Sequence, residues 1–246
     1  GAEGGLRTSH EREATAAYAR LFASCPDPLE LKLAHFAKYV RRQDLTRLLA
    51  RYEIFKRILH VKGSIVECGI YRGGGLMSWA NFSTILEPNN LMRRIYGFDS
   101  FAGFPQVSSH DATTARTTQP GELAADCFGE LQNLVAAFDQ NRFLGHVPKV
   151  ELVRGDAAET IPAFIKSHSH VVISLLFLDF DLYEPTRTAL EHFLPRMPKG
   201  SVIAFDELDN PAWPGETLAL LHQRGISQLR LERLDFDPYI GFAIVE

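Results

Sequence analysis

Acidic residues follow two apolar segments in the second half of the chain, and their types and spacing suit a reaction centre. Asp179 and Asp181 come after one apolar run, and Asp206 and Glu207 come after the next. If both runs are strands of a parallel sheet, their carboxyl ends lie side by side and the carboxylates converge on one crevice. Crowded carboxylates repel each other, so the cluster requires a cation, a shared proton or hydrogen-bond donors.

Such a cluster is suited to activating a hydroxyl group, which is a poor nucleophile at neutral pH. Asp179, Asp206 and Glu207 supply three hard oxygen ligands of the kind that Mg²⁺ prefers. Asp181, two residues after Asp179, is expected to point the same way on an extended strand end and to accept the hydroxyl proton as a general base. We therefore predict Asp179 and Asp181 as catalytic residues. Three acids have structural alternatives as a helix cap or a turn residue: Asp181, Glu184 and Asp209.

A glycine-rich turn, Glu67–Gly75, follows an earlier predicted strand and opens a helix. Gly69 and Gly73 have three residues between them, which is not the Gly-x-Gly-x-x-Gly spacing of a dinucleotide site. Glu67 would repel a pyrophosphate but would favour a cofactor that carries a sulfonium and an ammonium group. The turn therefore predicts S-adenosylmethionine, although an ordinary strand-to-helix connection is the structural alternative. The residues predicted to bind the cofactor here are Glu67, Cys68, Gly69, Tyr71, Arg72 and Gly73.

Acids at two further strand ends extend the predicted cofactor site. Asp99, followed by Ser100, is placed to accept hydrogen bonds from the ribose hydroxyls. Asp156, followed by Ala157, is placed to meet the adenine amino group. Asp179 is also predicted to contact the cofactor. A turn or cap is the alternative for Asp99, and a helix N-cap is the alternative for Asp156, where both roles are compatible.

The elements that must position these residues alternate between strand and helix from Ser64 onward, which is typical of βαβ units. Only Asp235–Pro238 separates the last two predicted strands, so they must form an antiparallel hairpin. The pattern predicts a Rossmann-like doubly wound α/β fold, with a seven-stranded, mostly parallel sheet and helices on both faces. The predicted strands are Ser64–Cys68, Arg94–Phe98, Val150–Val153, Val171–Leu178, Ser201–Phe205, Leu229–Leu234 and Tyr239–Val245.

Helical periodicity before this region predicts an N-terminal helical lid over residues 1–62, followed by a catalytic domain over residues 63–246. An insertion over residues 104–146 is expected near the active site and is predicted to be helical from Glu122 to Phe143. Arg93 and Arg94 are interpreted as charges on a solvated face or at a helix end. Because the chain starts without methionine, we expect Gly1–Gly5 to be an added or truncated end.

Composition indicates which classes of partner this 246-residue chain is expected to bind. A net charge of -4 gives no basic field for nucleic acid, so a small molecule is the expected partner. The apolar run Val171–Leu178 is too short to span a bilayer. Three widely spaced cysteines match neither a disulfide framework nor a zinc site, which favours a reducing cytoplasm. A homo-oligomer remains open.

Three ordered motifs together resemble the macrocin O-methyltransferase family, over a region from about Leu45 to the C-terminus. The resemblance implies a class I S-adenosylmethionine-dependent methyltransferase fold, a helical N-terminal lid, a magnesium-dependent mechanism and a sugar hydroxyl on a natural product or glycan precursor as acceptor. It also implies that Asp179 and Asp206 ligate the metal and that Asp181 is the base. The motifs are Val66–Gly74, Gly97–Pro105 and Leu178–Tyr183.

The chain departs from the family pattern around the second acidic motif. Glu207 stands where an Asp-Asp pair would have its second aspartate, and Phe180 stands where glycine is common. Trp213 is interpreted either as a lining residue of the acceptor site or as a core residue. Two other functions are carried as alternatives: a nicotinamide-dependent oxidoreductase, and a non-catalytic protein that binds S-adenosylmethionine.

Overall fold

The computed structural model describes residues 8–246, so Gly1–Gly5 lie outside the described residues. The chain divides into two units, one ending at Leu49 and the other running from Ala50 to Glu246. The first unit contains the helices α1 (Ser9–Ser24) and α2 (Leu29–Ala34) and the start of α3 (Arg42–Ile58). The predicted N-terminal helices are therefore confirmed, whereas their role as a lid remains a prediction.

A seven-stranded sheet forms the centre of the second unit, in the order β3-β2-β1-β4-β5-β7-β6. Strands β1 to β5 are parallel, and β7 runs antiparallel to both β5 and β6. Leu234 pairs with Asp237 in the final hairpin, so Asp237 and Pro238 belong to β7 rather than to the turn. The predicted sheet is confirmed, with strands β1 (Ser64–Cys68), β2 (Ile95–Asp99), β3 (Val150–Arg154), β4 (Ile173–Leu178), β5 (Val202–Phe205), β6 (Glu232–Leu234) and β7 (Asp237–Ile244).

Helices cover both faces of this sheet because side chains alternate along each strand. Val66 and Cys68 of β1 join the core under α6 to α8. On the opposite face, Trp79 of α4 packs against Phe177 of β4, with 5.6 Å between the ring centroids. None of the helices within residues 8–246 is long and apolar enough to cross a membrane. The helices around the sheet are α4 (Gly74–Leu86), α5 (Phe128–Gln140), α6 (Ala157–Ser167), α7 (Tyr183–Phe193) and α8 (Gly215–Gln223).

The predicted insertion contains a single long helix, which is shorter than expected. Helix α5 starts at Phe128 rather than Glu122, because Gly121 and Leu123 adopt left-handed backbone conformations, with φ of 81° and 58°, that a helix does not accommodate. Upstream of the helix, Thr113 donates a hydrogen bond to the carbonyl of Pro211 (2.7 Å). The polar half of the insertion is thus attached to the segment after β5.

Arg93 contradicts the prediction of a solvated charge, since its side chain is only 2% exposed. Its guanidinium donates to the carbonyls of Ile58 (3.0 Å), Val61 (3.1 Å) and Gly63 (2.9 Å). It also pairs with Glu87 at 2.6 Å. Backbone carbonyls from the end of α3 to just before β1 accept these hydrogen bonds, which offset the cost of burying the guanidinium charge. The sequence around Arg93 gives no sign of these distant carbonyls.

We expect Arg93→Met to lower the free energy of unfolding by about 3–5 kcal/mol, because it leaves Glu87 and several carbonyls without their buried donor. Urea denaturation followed by circular dichroism measures the change. Arg94→Met is the neighbouring control, because Arg94 is partly exposed and its ion pair with Glu151 spans 3.7 Å. Equal effects of the two substitutions would contradict the structural role of Arg93.

Candidate active site

The glycine-rich turn after β1 is held between two other elements. A Cβ on Gly69, which has φ of +86°, would lie 1.9 Å from the carbonyl oxygen of Asp179. A Cβ on Gly73, the N-cap of α4 with φ of +81°, would lie 2.3 Å from the Leu131 side chain of α5. Both positions therefore require glycine, and the turn lies against the end of β4.

The other predicted residues of this turn differ in exposure. Cys68 is buried, and its carbonyl accepts the N–H of Asp179 (2.8 Å). Tyr71 is 48% exposed, and the Arg72 guanidinium lies 5.3 Å from its ring centroid. The thiol of Cys127 donates to the Tyr71 carbonyl at 3.3 Å. The insertion thus contacts the turn and leaves the Tyr71 ring accessible to a ligand.

Glu67 is the buried acid of the turn, with 1% of its surface exposed. Burial raises its pKa to about 8, opposed by the positive charge of Arg51 and reinforced by the negative charge of Asp179. Because the carboxyl group lies under the first turn of α4, a Cβ on Gly75 would approach Glu67 Oε1 to 2.1 Å. The carboxyl group is therefore costly to ionise unless a positive charge lies beside it, and its contact with the cofactor remains a prediction.

Arg51 is a charged residue of this site that sequence reasoning missed. Its Nη2 lies 3.9 Å from Glu67 Oε1 and 3.8 Å from Asp179 Oδ2, and its guanidinium lies 4.8 Å from the ring centroid of Phe177. Arg51 thus provides a counter-charge shared by two predicted site residues. A single arginine on α3, outside any motif, gave no signal in the sequence.

Asp99 fastens the glycine-rich turn to the end of β2. Its Oδ2 accepts the N–H groups of Ile70 (2.9 Å) and Tyr71 (2.8 Å), and its Oδ1 accepts that of Phe101 (2.7 Å). Burial raises the pKa of Asp99, opposed by these three hydrogen bonds. The neighbouring Ser100 donates to the carbonyl of Gly103 (2.6 Å). The turn-forming alternative is therefore present, and the ribose contact remains a prediction.

Asp156 caps the helix that follows β3. It is the N-cap of α6, and its side chain accepts the N–H of Ala158 at 2.9 Å. Ala157, the first residue of the helix, is buried. The capping alternative is thus present, and contact of Asp156 with adenine remains a prediction.

The acidic cluster lies at the ends of β4 and β5, where Asp181, Asp206 and Glu207 are buried and Asp179 is partly exposed. Asp181 is not on an extended strand end, which corrects the sequence-based prediction. Strand β4 ends at Leu178, and Asp181 has φ of 63°. Burial raises the pKa of Asp181 well above its ordinary value, reinforced by the negative charges of Asp179 and Glu207.

The proposed capping roles of Asp181 and Glu184 are not found. Helix α7 begins at Tyr183 without a cap from its own preceding side chain. Instead Asp111, from the insertion, accepts the N–H of Tyr183 at 2.7 Å, and Glu184 pairs with Arg187 at 3.0 Å. The Asp181 side chain therefore does not cap α7 and belongs to the acidic cluster. The turn alternative holds for Asp209, which is exposed with φ of 60°.

Glu216, at the start of α8, is a second site residue that was not predicted. Its side chain is fully buried (0% exposed) and accepts the N–H of Asp181 at 3.3 Å and that of Glu207 at 3.2 Å. Burial raises its pKa well above the ordinary value, as do the charges of Asp179 and Asp181. Its position 9 residues after Glu207 carries no motif that predicts this contact.

The predicted metal ligands Asp179, Asp206 and Glu207 have the oxygen chemistry that suits Mg²⁺. Among the described residues, no group of three or more His, Cys, Asp or Glu side chains is arranged closely enough to hold a metal ion as it stands. Magnesium binding by Asp179, Asp206 and Glu207 remains a prediction.

Trp213 is buried beneath the insertion. The Arg116 guanidinium lies 3.9 Å from its ring centroid, and the Phe104 ring packs edge-on at 5.8 Å. Arg116 also pairs with Glu122. These contacts give Trp213 a packing role, and its contact with an acceptor remains a prediction.

Comparison with known proteins identifies relatives with this fold. The calicheamicin methyltransferase CalS11 is 35% identical, with a TM-score of 0.93 over 97% of this chain and 93% of that one. Its apo structure, described as a TDP-rhamnose 3'-O-methyltransferase, is 34% identical, with a TM-score of 0.84 over 97% of this chain and 95% of that one. The O-methyltransferase NovP, at 20% identity, shares the fold with a TM-score of 0.64 over 81% of this chain and 79% of its own.

A curated relative gives a shorter match. The 8-demethyl-8-(2,3-dimethoxy-alpha-L-rhamnosyl)-tetracenomycin-C 4'-O-methyltransferase of Streptomyces olivaceus is 27% identical over 147 residues, or 60% of this chain. The alignment spans 53% of that enzyme, about half of its length.

The sheet order, the glycine-rich turn and the relatives together define a class I O-methyltransferase. The macrocin O-methyltransferase family model matches residues 41–236. The chain belongs to the macrocin O-methyltransferase family, which confirms the resemblance found in its three motifs.

Proposed function

We propose that the protein transfers the methyl group of S-adenosylmethionine to a hydroxyl group of a sugar, either on a nucleotide sugar or on a glycosylated small molecule. The observation that carries the proposal is the position of Asp181, a buried acid beside Asp179 and Glu207, at the sheet edge that also holds the glycine-rich turn. Two relatives support a deoxysugar acceptor, because their descriptions name TDP-rhamnose and a rhamnosyl group.

Glu67 and Asp181 have different roles in the proposed reaction. Glu67 balances the positive charge of the cofactor at the turn, and Asp181 accepts the proton of the acceptor hydroxyl. S-adenosylmethionine supplies the methyl group, so an oxygen–carbon bond forms as the sulfur–carbon bond breaks and S-adenosylhomocysteine is released. A raised pKa makes Asp181 a stronger base once it is ionised, and a positioned base contributes about 10²–10⁴-fold.

Methyl-labelled S-adenosylmethionine tests the proposal directly. We expect label in the sugar of TDP-rhamnose or of a rhamnosylated aglycone. S-adenosylhomocysteine at a hundred times its dissociation constant should stabilise the protein by about 2.7 kcal/mol, whereas NAD should not. Stabilisation by NAD alone would favour the oxidoreductase. Binding of S-adenosylhomocysteine without transfer to either acceptor would favour a non-catalytic role.

Magnesium assistance is part of this proposal, supported by the hard oxygen ligands of Asp179, Asp206 and Glu207. We expect EDTA to lower kcat about tenfold or more and added MgCl₂ to restore it, because a cation relieves repulsion within the cluster. EDTA preloaded with Mg²⁺ is the control. Undiminished turnover after metal-free dialysis would contradict the assistance and leave Asp181 as the activating group.

A further inference from the structure

The buried side chain of Glu216 joins two turns of the site, one that contains Asp181 and one that contains Glu207. The Oε1 atom of Glu216 accepts the N–H of Asp181, after β4, and its Oε2 atom accepts the N–H of Glu207, after β5. Asp181 and Glu216 are 35 residues apart in the chain. The distance between the two turns is therefore fixed by a single carboxyl group as well as by the strand pairing.

The surroundings of Glu216 leave it little freedom. A Cβ on the preceding Gly215 would lie 2.4 Å from the Tyr183 nitrogen and 2.5 Å from Asp111 Oδ1, so the start of α8 is in close contact with the start of α7. The following Thr217 accepts the N–H of Asp209 at 2.9 Å. The close contact at Gly215 thus fixes the backbone from which the Glu216 carboxyl group extends, whereas the Thr217 hydroxyl bonds only the exposed Asp209.

If the Glu216 side chain only filled space, a carboxyl group would be energetically unfavourable at this position. Glu216 is fully buried near Asp179 and Asp181, and burying a charge near like charges is unfavourable. An apolar side chain would fill the space without that cost. Its two acceptor atoms, however, can bond both turns at once, and one of those bonds supports Asp181 in a left-handed conformation that non-glycine residues rarely adopt.

We propose that Glu216 is a positioning residue, which holds the turns of Asp181 and Glu207 at the separation that methyl transfer requires. The inference rests on the proposed function of Asp181 as the base. A displacement of about 1 Å in a reacting group lowers rates by as much as about 10²-fold. Glu216 therefore acts on turnover through Asp181.

The test is Glu216→Gln, whose amide keeps one acceptor but places an N–H against the second backbone N–H. We expect kcat to fall about 10- to 100-fold, while the KM of the acceptor and the Kd of S-adenosylhomocysteine change less than about threefold. The matched control is Thr217→Val, which frees only the exposed Asp209 turn and should change kcat less than about threefold.

The double variant Asp181→Asn with Glu216→Gln separates positioning from general destabilisation. If Glu216 acts through Asp181, the double variant is no slower than Asp181→Asn alone. A multiplied loss, or a normal kcat in Glu216→Gln beside a slow Asp181→Asn, would overturn the inference and leave the proposed base intact. Full activity of Asp181→Asn would instead overturn the base itself and, with it, this inference.

Hydrogen exchange in the unmodified protein tests the same contacts if Glu216→Gln does not fold. The amides of Asp181 and Glu207 should exchange far more slowly than unbonded loop amides, because each donates to a buried carboxyl group. Exchange at loop rates would overturn the inference.

Discussion

Replacing Asp181 with asparagine is expected to lower kcat at least about a hundredfold, while the Kd of S-adenosylhomocysteine stays within about threefold of the unmodified value. The amide cannot accept the hydroxyl proton, but it has nearly the same size and shape as the carboxyl group. Asparagine also tolerates the left-handed backbone that Asp181 adopts at φ of 63°. The substitution therefore removes the base and leaves the turn in place, and steady-state kinetics with isothermal titration calorimetry measures both effects.

Asp209→Asn is the matched control, since Asp209 also has a left-handed backbone, with φ of 60°, but is exposed. Its kcat should remain within about threefold of the unmodified protein. Full turnover of the Asp181 variant would remove Asp181 from the mechanism. Equal losses in both variants would show that the backbone of these turns, and not the carboxyl group of Asp181, controls the rate.

Local sequence signals were sufficient to predict the sheet. β1 has the predicted bounds, Ser64–Cys68, because an apolar run between a helix end and a glycine-rich turn leaves little freedom in its limits. The final hairpin followed from a connection too short for a parallel crossover. The positions of Glu67 and Asp99 at strand ends followed from the same alternation of elements.

The details of the site depend on contacts between residues distant in the chain. Asp111 caps α7 across 72 residues, and Glu216 reaches Asp181 across 35. Arg93 is buried because carbonyls at the end of α3 point toward it. No periodicity encodes such pairings, since each depends on how two elements pack. The left-handed backbone of Asp181 was missed for a related reason, because aspartate carries no turn signal as strong as that of glycine.

Glu67→Gln is expected to weaken S-adenosylmethionine binding about tenfold or more and, at the same time, to stabilise the protein above neutral pH. Glu67 attracts the cationic cofactor in its ionised form, which predominates above its pKa of about 8 or when the cation is bound beside it, and a neutral amide loses that attraction. The same substitution is expected to raise the free energy of unfolding, although it lowers the affinity for the cofactor. The pKa of Glu67 is about 8 in the folded protein against an ordinary value of 4.5, so its proton is bound more tightly in the folded state, and this group's contribution to stability is lost as pH rises from about 4.5 to about 8.

Glutamine does not titrate, so the advantage of the variant should be small at pH 5 and largest above pH 8. Urea midpoints at pH 5 and pH 8.5, with calorimetric titration of S-adenosylmethionine, measure the two effects together. Glu184→Gln is the control, because Glu184 is an exposed acid paired with Arg187, and both quantities should stay unchanged. Unaltered cofactor affinity would remove Glu67 from the binding site, whereas a stability difference independent of pH would contradict its raised pKa. Both changes together would mean that Glu67 lowers the stability of the fold in order to bind a cation, as expected of a group selected for function rather than packing.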